Sequence, residues 1–149
     1  MPPADDPVAL ARACAEIMWK DDVASRELGI ALEEVAPGRA VLGMTIAANM
    51  VNGHGSCHGG YIFAFADTAF AFACNTYGDR SVASHCSITY LRPGKLGDHL
   101  TARAEERARY GRSGIYDVRI ARQDGAVIAE FRGHSRVVGS FFPPASLST

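Results

Sequence analysis

The residues whose types and spacing can do chemistry lie between Asn52 and Gly78, in NGHGSCHGGYIFAFADTAFAFACNTYG. The stretch opens as a polar, glycine-rich loop. It then becomes a run of apolar and small residues holding one charge, Asp67. A helix-long apolar run is buried, and a carboxylate there is costly unless it is neutral, paired or used. Gly59 and Gly60 stand where the helix would begin. The first N–H groups of a helix lack intrahelical partners, and glycine lets a ligand approach the backbone closely. The helix dipole adds partial positive charge at that end. Together these suit an oxygen that gains negative charge during a reaction. Asp67 could act as a general base on water or attack a carbonyl directly, and the residues leave both open. Phe63, Phe65, Phe70 and Phe72 would desolvate it and raise its pKa, which helps a base work near neutral pH.

Asp67 follows Gly59 by eight positions, about 12 Å along a helix axis. One carbonyl carbon does not meet both groups of the same helix. Two antiparallel helices at a two-fold axis would bring Gly59 of one copy near Asp67 of the other. The spacing therefore predicts a site shared between subunits and a dimer as the minimal working unit.

Composition narrows the field. A chain of 149 residues is expected to form one domain. Its 48% hydrophobic and 21% charged residues are ordinary for a soluble globular protein. A formal net charge of -1 offers no basic field for nucleic acid. Cys14, Cys57, Cys74 and Cys86 form no C-x-x-C pair, which argues against a zinc knuckle or redox motif. MPPADDP has no basic n-region, and the longest apolar stretch carries Asp67. A cytoplasmic protein without a membrane span is expected. His54, Cys57, His58, His85 and Cys86 fit no standard ligand spacing, so no metal is expected. Cys57 and His58 are adjacent, a poor geometry for a nucleophile–base pair.

Stepping along the chain, Val8–Lys20 has helical spacing, with Asp5 or Asp6 as cap and Pro7 at the first turn. Trp19 reads as its packing anchor, and residues 1–7 as a loose tail. Gly29–Val35 and Arg39–Ala47 alternate around the turn pair Pro37-Gly38, with Ala40, Leu42, Met44 and Ile46 on one face. Asn49–Cys57 is loop. Gly59–Gly78 is the long helix, with Gly78 as a left-handed cap. Val82, Ser84, Cys86, Ile88 and Tyr90 share a strand face up to Arg92-Pro93-Gly94. Leu100–Arg109 alternates, and Ile115–Arg122 and Ala126–Ser135 flank the hairpin pair Asp124-Gly125. Arg119, Arg122 and the face of Glu130, Arg132 and His134 read as solvated or partner-facing. The division is then 1–24, a tail and surface helix; 25–139, the main domain; and 140–149, a flexible Pro- and Ser-rich tail. The fold class is α+β: a curved antiparallel sheet wrapped around one long helix. One sheet does not cover a helix all round, so self-association is expected.

Asn52-Gly53-His54, His58-Gly59-Gly60, Ala66-Asp67-Thr68-Ala69 and Leu91-Arg92-Pro93-Gly94 resemble the hot-dog-fold acyl-CoA thioesterases. The similarity runs over most of the chain and is greatest to their phenylacetate-degradation branch. The resemblance implies Asp67 as the catalytic carboxylate and the Gly59 N–H as the group that polarises the thioester carbonyl. It implies Asn52 as the residue that positions water or substrate, and His58 as an orienting group. Gly60, Tyr61, Arg92, Pro93 and Lys95 are the candidate substrate-binding residues, and Thr68 or Ser84 is the candidate for a further hydroxyl that some relatives carry. Tyr61 could wall an acyl pocket. Arg92, Lys95, Arg109, Arg112 and Arg136 are candidate partners for coenzyme A phosphates. The implied substrate is an aryl-acetyl or similar acyl-CoA. No cofactor beyond the substrate's own coenzyme A is implied, and the implied assembly is a dimer or tetramer. Two other readings share these residues. One is a hot-dog dehydratase or hydratase that uses a histidine. The other is a non-catalytic acyl-CoA-binding module.

Overall fold

The computed structural model describes residues 5–143. Helix α1 runs Pro7–Asp21 and the short α2 Val23–Glu27. Strands β1 (Ala31–Ala36) and β2 (Arg39–Thr45) follow. After a single 3-10 turn at Ala48–Met50 comes α3, Gly59–Cys74. Strands β3 (Asp79–Tyr90), β4 (His99–Tyr110), β5 (Ser113–Arg122) and β6 (Val127–Ser140) complete the chain.

All six strands pair antiparallel in one sheet, in the order β1-β2-β4-β5-β6-β3. The helix α3 lies against that sheet and packs on every strand of it. The predicted alternation in β2 holds: Ala40, Leu42, Met44 and Ile46 are all buried. Ala102 and Ala104 on β4 and Gly133 on β6 are small where the helix is large. A Cβ at Gly133 would lie 2.7 Å from the Phe70 ring, so the missing side chain sets how closely α3 approaches the sheet. Interiors have little room to absorb such an overlap. Gly133→Ala is expected to cost about 1–3 kcal/mol, read as a shifted midpoint in urea unfolding with an unchanged slope.

The elements follow from local chemistry. Asp6 caps α1, its Oδ1 accepting from the N–H groups of Val8 and Ala9 at 3.1 Å. Trp19 packs on Phe72 of α3 with ring centroids 6.0 Å apart. Gly125, at φ +86°, closes the β5–β6 hairpin, a backbone conformation glycine adopts freely.

Several expectations need correction. The helix α3 stops at Cys74, four residues short of Gly78. Asn75 ends it: its amide donates to Ala71 O (2.9 Å) and Ser81 O (3.2 Å), and its Oδ1 accepts from Ser81 N (2.7 Å). Gly78, at φ +92°, belongs to the turn into β3. The short α2 straddles the expected boundary after residue 24. It begins where Asp22 accepts from Ser25 N at 3.0 Å. Of the loose tail expected over residues 1–7, Asp6 caps α1 and Pro7 is its first residue, while residues 1–4 lie outside the described ones. At the other end, β6 includes Ser140, Phe141 N donates to Gly78 O at 2.9 Å, and Arg80 covers the Phe141 ring. Residues 144–149 lie outside the described residues. No helix among the described residues is long and apolar enough to cross a membrane.

Candidate active site

The loop before α3 is tied down on both sides. Asn52 Oδ1 accepts from His54 N (2.9 Å) and Ser56 N (3.2 Å), which closes the turn. Cys57 N donates to Gly94 O (2.7 Å) and His58 N to Met50 O (2.8 Å). Ser56 also bridges Lys95. The loop 52–58 and the turn 92–95 are thus one ledge beside the start of α3.

His58 is the N-cap of α3, and its Nδ1 accepts the Gly60 N–H at 3.0 Å. That bond removes Gly60 as an oxyanion donor. Tyr61 N is taken by His58 O. The Gly59 N–H has no acceptor among the described residues, so the helix end presents one free donor, aimed by the cap. Tyr90, at the end of β3, holds the same spot from the sheet side. Its hydroxyl donates to Gly59 O at 2.8 Å, and its ring would sit 3.0 Å from a Cβ at position 59. No motif in the sequence marks Tyr90 as a site residue. Its only signal was its place as the last apolar-face residue before Leu91-Arg92-Pro93-Gly94.

Asp67 lies half-buried two turns along α3. Its carboxylate makes no hydrogen bond to the described residues, and burial pushes its pKa above the ordinary carboxylate value. Its charge is felt by the Cys86 thiol on β3 and the Cys74 thiol on α3. Of the four phenylalanines around it in sequence, Phe65, Phe70 and Phe72 turn into the core. Only Phe63 stays half-exposed one turn before Asp67, edge-on to Phe131 at 5.5 Å. Gly60, Ala64, Asp67 and Ala71 form the stripe of α3 that the sheet leaves uncovered.

The candidate residues divide into two groups. Asn52, His58, Gly59, Gly60 and Tyr61 gather at the start of α3 with Arg92, Pro93 and Lys95. Tyr61 packs edge-on to His58 at 6.3 Å. Arg92 donates to Val127 O at 2.9 Å across the sheet end. Asn52 Oδ1 is used in the loop, and its side-chain NH2 makes no hydrogen bond to the described residues. Asp67, Thr68 and Ser84 lie apart from that cluster. The Thr68 hydroxyl donates to Ala64 O (2.8 Å) and meets Ser25 Oγ (3.2 Å), stitching α3 to α2. The Ser84 hydroxyl donates to His134 O at 3.0 Å. Both hydroxyls are committed within the fold.

The competing chemistries have little footing. No three His, Cys, Asp or Glu side chains gather among the described residues as a metal would need. Burial pushes the Cys57 thiol up, the reverse of an activated nucleophile.

A sequence profile of the thioesterase superfamily matches residues 54–129, the span from the α3 ledge to β6. The acyl-coenzyme A thioesterase PaaI of Escherichia coli K12 is 47% identical over 125 residues, covering 84% of this chain and 89% of that protein. This chain belongs to the thioesterase superfamily.

Its fold agrees with that of its relatives. The E. coli PaaI structure, from a phenylacetic acid degradation operon, superposes with a TM-score of 0.89 at 44% identity, covering 91% of this chain and 98% of that one. A hypothetical thioesterase from Streptococcus pneumoniae, solved with coenzyme A, matches with a TM-score of 0.77 at 26% identity, covering 84% and 97%. The α+β hot-dog architecture, a curved antiparallel sheet around one helix, is the architecture of this thioesterase.

Proposed function

We propose that this thioesterase hydrolyses aryl-acetyl-CoA esters, phenylacetyl or hydroxylated phenylacetyl, to the free acid and coenzyme A. The observation that carries the reading is a division of labour within α3. Its N-terminus offers one free N–H at Gly59, and its middle offers one unpartnered, half-buried carboxylate at Asp67. The separation of about 12 Å leaves each useless to the other within one chain. A two-fold partner supplies the missing half.

Two features favour that partner. The edge strand β3 is 12 residues long, leaves one side unpaired, and exposes Val82 and Tyr90. Long bare edges are normally covered. The small-residue stripe of α3 beside Asp67 lets a second helix approach. Dimers of this kind pairing again into a tetramer is the assembly we favour.

In the proposed reaction, water held by the partner's Asn52 amide attacks the thioester carbonyl carbon while Asp67 takes its proton. The carbonyl oxygen becomes an oxyanion facing the partner's Gly59 N–H. Its collapse breaks the C–S bond, and the departing thiolate takes the proton back from Asp67. No cofactor enters these steps. Four unpaired cysteines fit work in a reducing, cytoplasmic compartment.

A panel of acyl-CoA esters with thiol detection tests the reading. Free thiol released fastest from aryl-acetyl-CoA is expected. Thioester consumption without thiol would point to the dehydratase chemistry. His58 is poorly placed for that chemistry, because its Nδ1 is already spent on Gly60. Ligand binding without turnover would point to a binding module.

A further inference from the structure

The far end of α3 holds a polar cavity, about 420 Å³ in volume, between the β4–β5 hairpin and the last turn of the helix. We propose that this cavity binds the oxyanion of a phosphate monoester, with Arg109, Arg112 and Ser135 as its principal donors.

Three observations meet there. First, Arg109 and Arg112 both line the cavity, and neither pairs with a carboxylate among the described residues. Their neighbours on the sheet do: Arg107 and Arg132 bind Asp117, and Arg119 binds Glu130. Second, Arg109 is held in place without using its donors. Its guanidinium carbon lies 3.4 Å from the centroid of the Tyr77 ring, a stacked arrangement that leaves the N–H fork free at the edge. Tyr77 is itself fixed, its hydroxyl donating to Glu106 Oε1 at 3.0 Å, and Tyr116 donates to the same oxygen at 2.8 Å. Third, Ser135 is only 6% exposed, lines the cavity, and makes no side-chain hydrogen bond to the described residues. Gly114 opposite it leaves the space: a Cβ there would come within 2.7 Å of Ser135 Oγ. A hydroxyl with no partner among the described residues keeps its donor for a ligand, and this one lines a cavity that two cations also line.

Among the described residues, Asp79 is the one carboxylate in the lining, so two positive charges face one negative. Guanidinium groups and hydroxyls arranged around a cavity match the several acceptor oxygens of a phosphate better than they match a cation or an apolar group. The cavity also lies near the proposed reaction. Cys74, which lines it, follows Asp67 by seven residues on α3, about 10 Å along the axis. The phosphate could therefore come from the coenzyme A of the substrate, a source that rests on the thioesterase reading. It could equally come from a separate phosphate ester.

The test pairs a titration with a kinetic comparison. Inorganic phosphate is titrated calorimetrically into wild type, Arg112→Ala, Arg109→Gln and Ser135→Ala. The KM values for phenylacetyl-CoA and its 3′-dephospho form are measured on the same proteins. Loss of one charged donor is expected to weaken phosphate binding about tenfold or more. If coenzyme A is the source, KM for phenylacetyl-CoA rises by a similar factor in the variants, and KM for the dephospho ester does not follow. If a separate phosphate ester is the source, only the titration changes. Phosphate binding absent from wild type or equal in all four proteins, with an unchanged KM ratio for the two esters, overturns the proposal. Failure of wild type to hydrolyse any thioester would instead strike the thioesterase reading, and the titration would still decide the cavity.

Discussion

Asp67→Asn is expected to lower kcat by roughly 10²–10⁴-fold, the range a general base supplies, while the protein folds and becomes more stable. Both effects have one origin. The carboxylate is half-buried with no hydrogen-bond partner among the described residues, and burial alone raises its pKa. The folded chain therefore holds this proton to a higher pH than the unfolded chain does. As pH rises from the unfolded pKa through the folded one, ionisation costs stability, and above that window the whole cost is present. Asparagine removes the cost, so the variant's Tm advantage should grow from acid toward neutral pH and then level off. Thermal melts across pH measure it. The base must be ionised to work, so the acidic limb of kcat/KM should fall above the ordinary carboxylate range and vanish in the variant's residual activity. Wild-type turnover in Asp67→Asn would remove this residue from the mechanism. A Tm advantage that shrank toward neutral pH would mean the carboxylate is satisfied after all.

Gly59→Pro is expected to fold and lose roughly 10²–10³-fold in kcat, the effect of removing one oxyanion donor. Residue 59 is the first of α3, the one helical position where proline fits, because its N–H has no intrahelical partner. The preceding His58 has φ -60° and ψ 134°, a conformation compatible with a following proline. The substitution thus deletes the free donor and little else, apart from a shift of the exposed Tyr90 ring that lies 3.0 Å from a Cβ there. Gly59→Ala controls for that shift, since it crowds Tyr90 equally but keeps the N–H, and should lose far less.

The two variants together test where the site lies. Each alone is nearly inactive. In a shared-site dimer, a mixture of Asp67→Asn and Gly59→Pro chains restores one complete site in each heterodimer. Random reassociation makes half of the dimers mixed, so activity should return to about a quarter of wild type. A site within one chain predicts no recovery. Mixing after dissociation and dilution, followed by thiol release, distinguishes the two.

The sequence by itself settled the parts of this protein that depend on neighbours along the chain. The start of α3 was visible because His58-Gly59-Gly60 stands between a glycine-rich loop and an unbroken apolar run. The strand faces of β2 and the hairpin at Asp124-Gly125 were visible through alternation and turn chemistry. The isolation of Asp67 from Gly59 followed from helical rise alone. Tertiary structure decided what depends on hydrogen bonds between distant residues. Asn75 ends α3 by binding Ser81, not by any local breaker signal. His58 takes the Gly60 N–H and leaves the Gly59 N–H without an acceptor among the described residues, a choice that a motif with two glycines does not display. The hydroxyls of Thr68 and Ser84 are spent on Ala64 and His134, and Tyr90 reaches Gly59 from another element. Arg109, Arg112 and Ser135 share a cavity only because β4, β5 and β6 pair in their particular register. Periodicity reports which face of an element is buried, whereas the partner of each polar atom is set by the global packing.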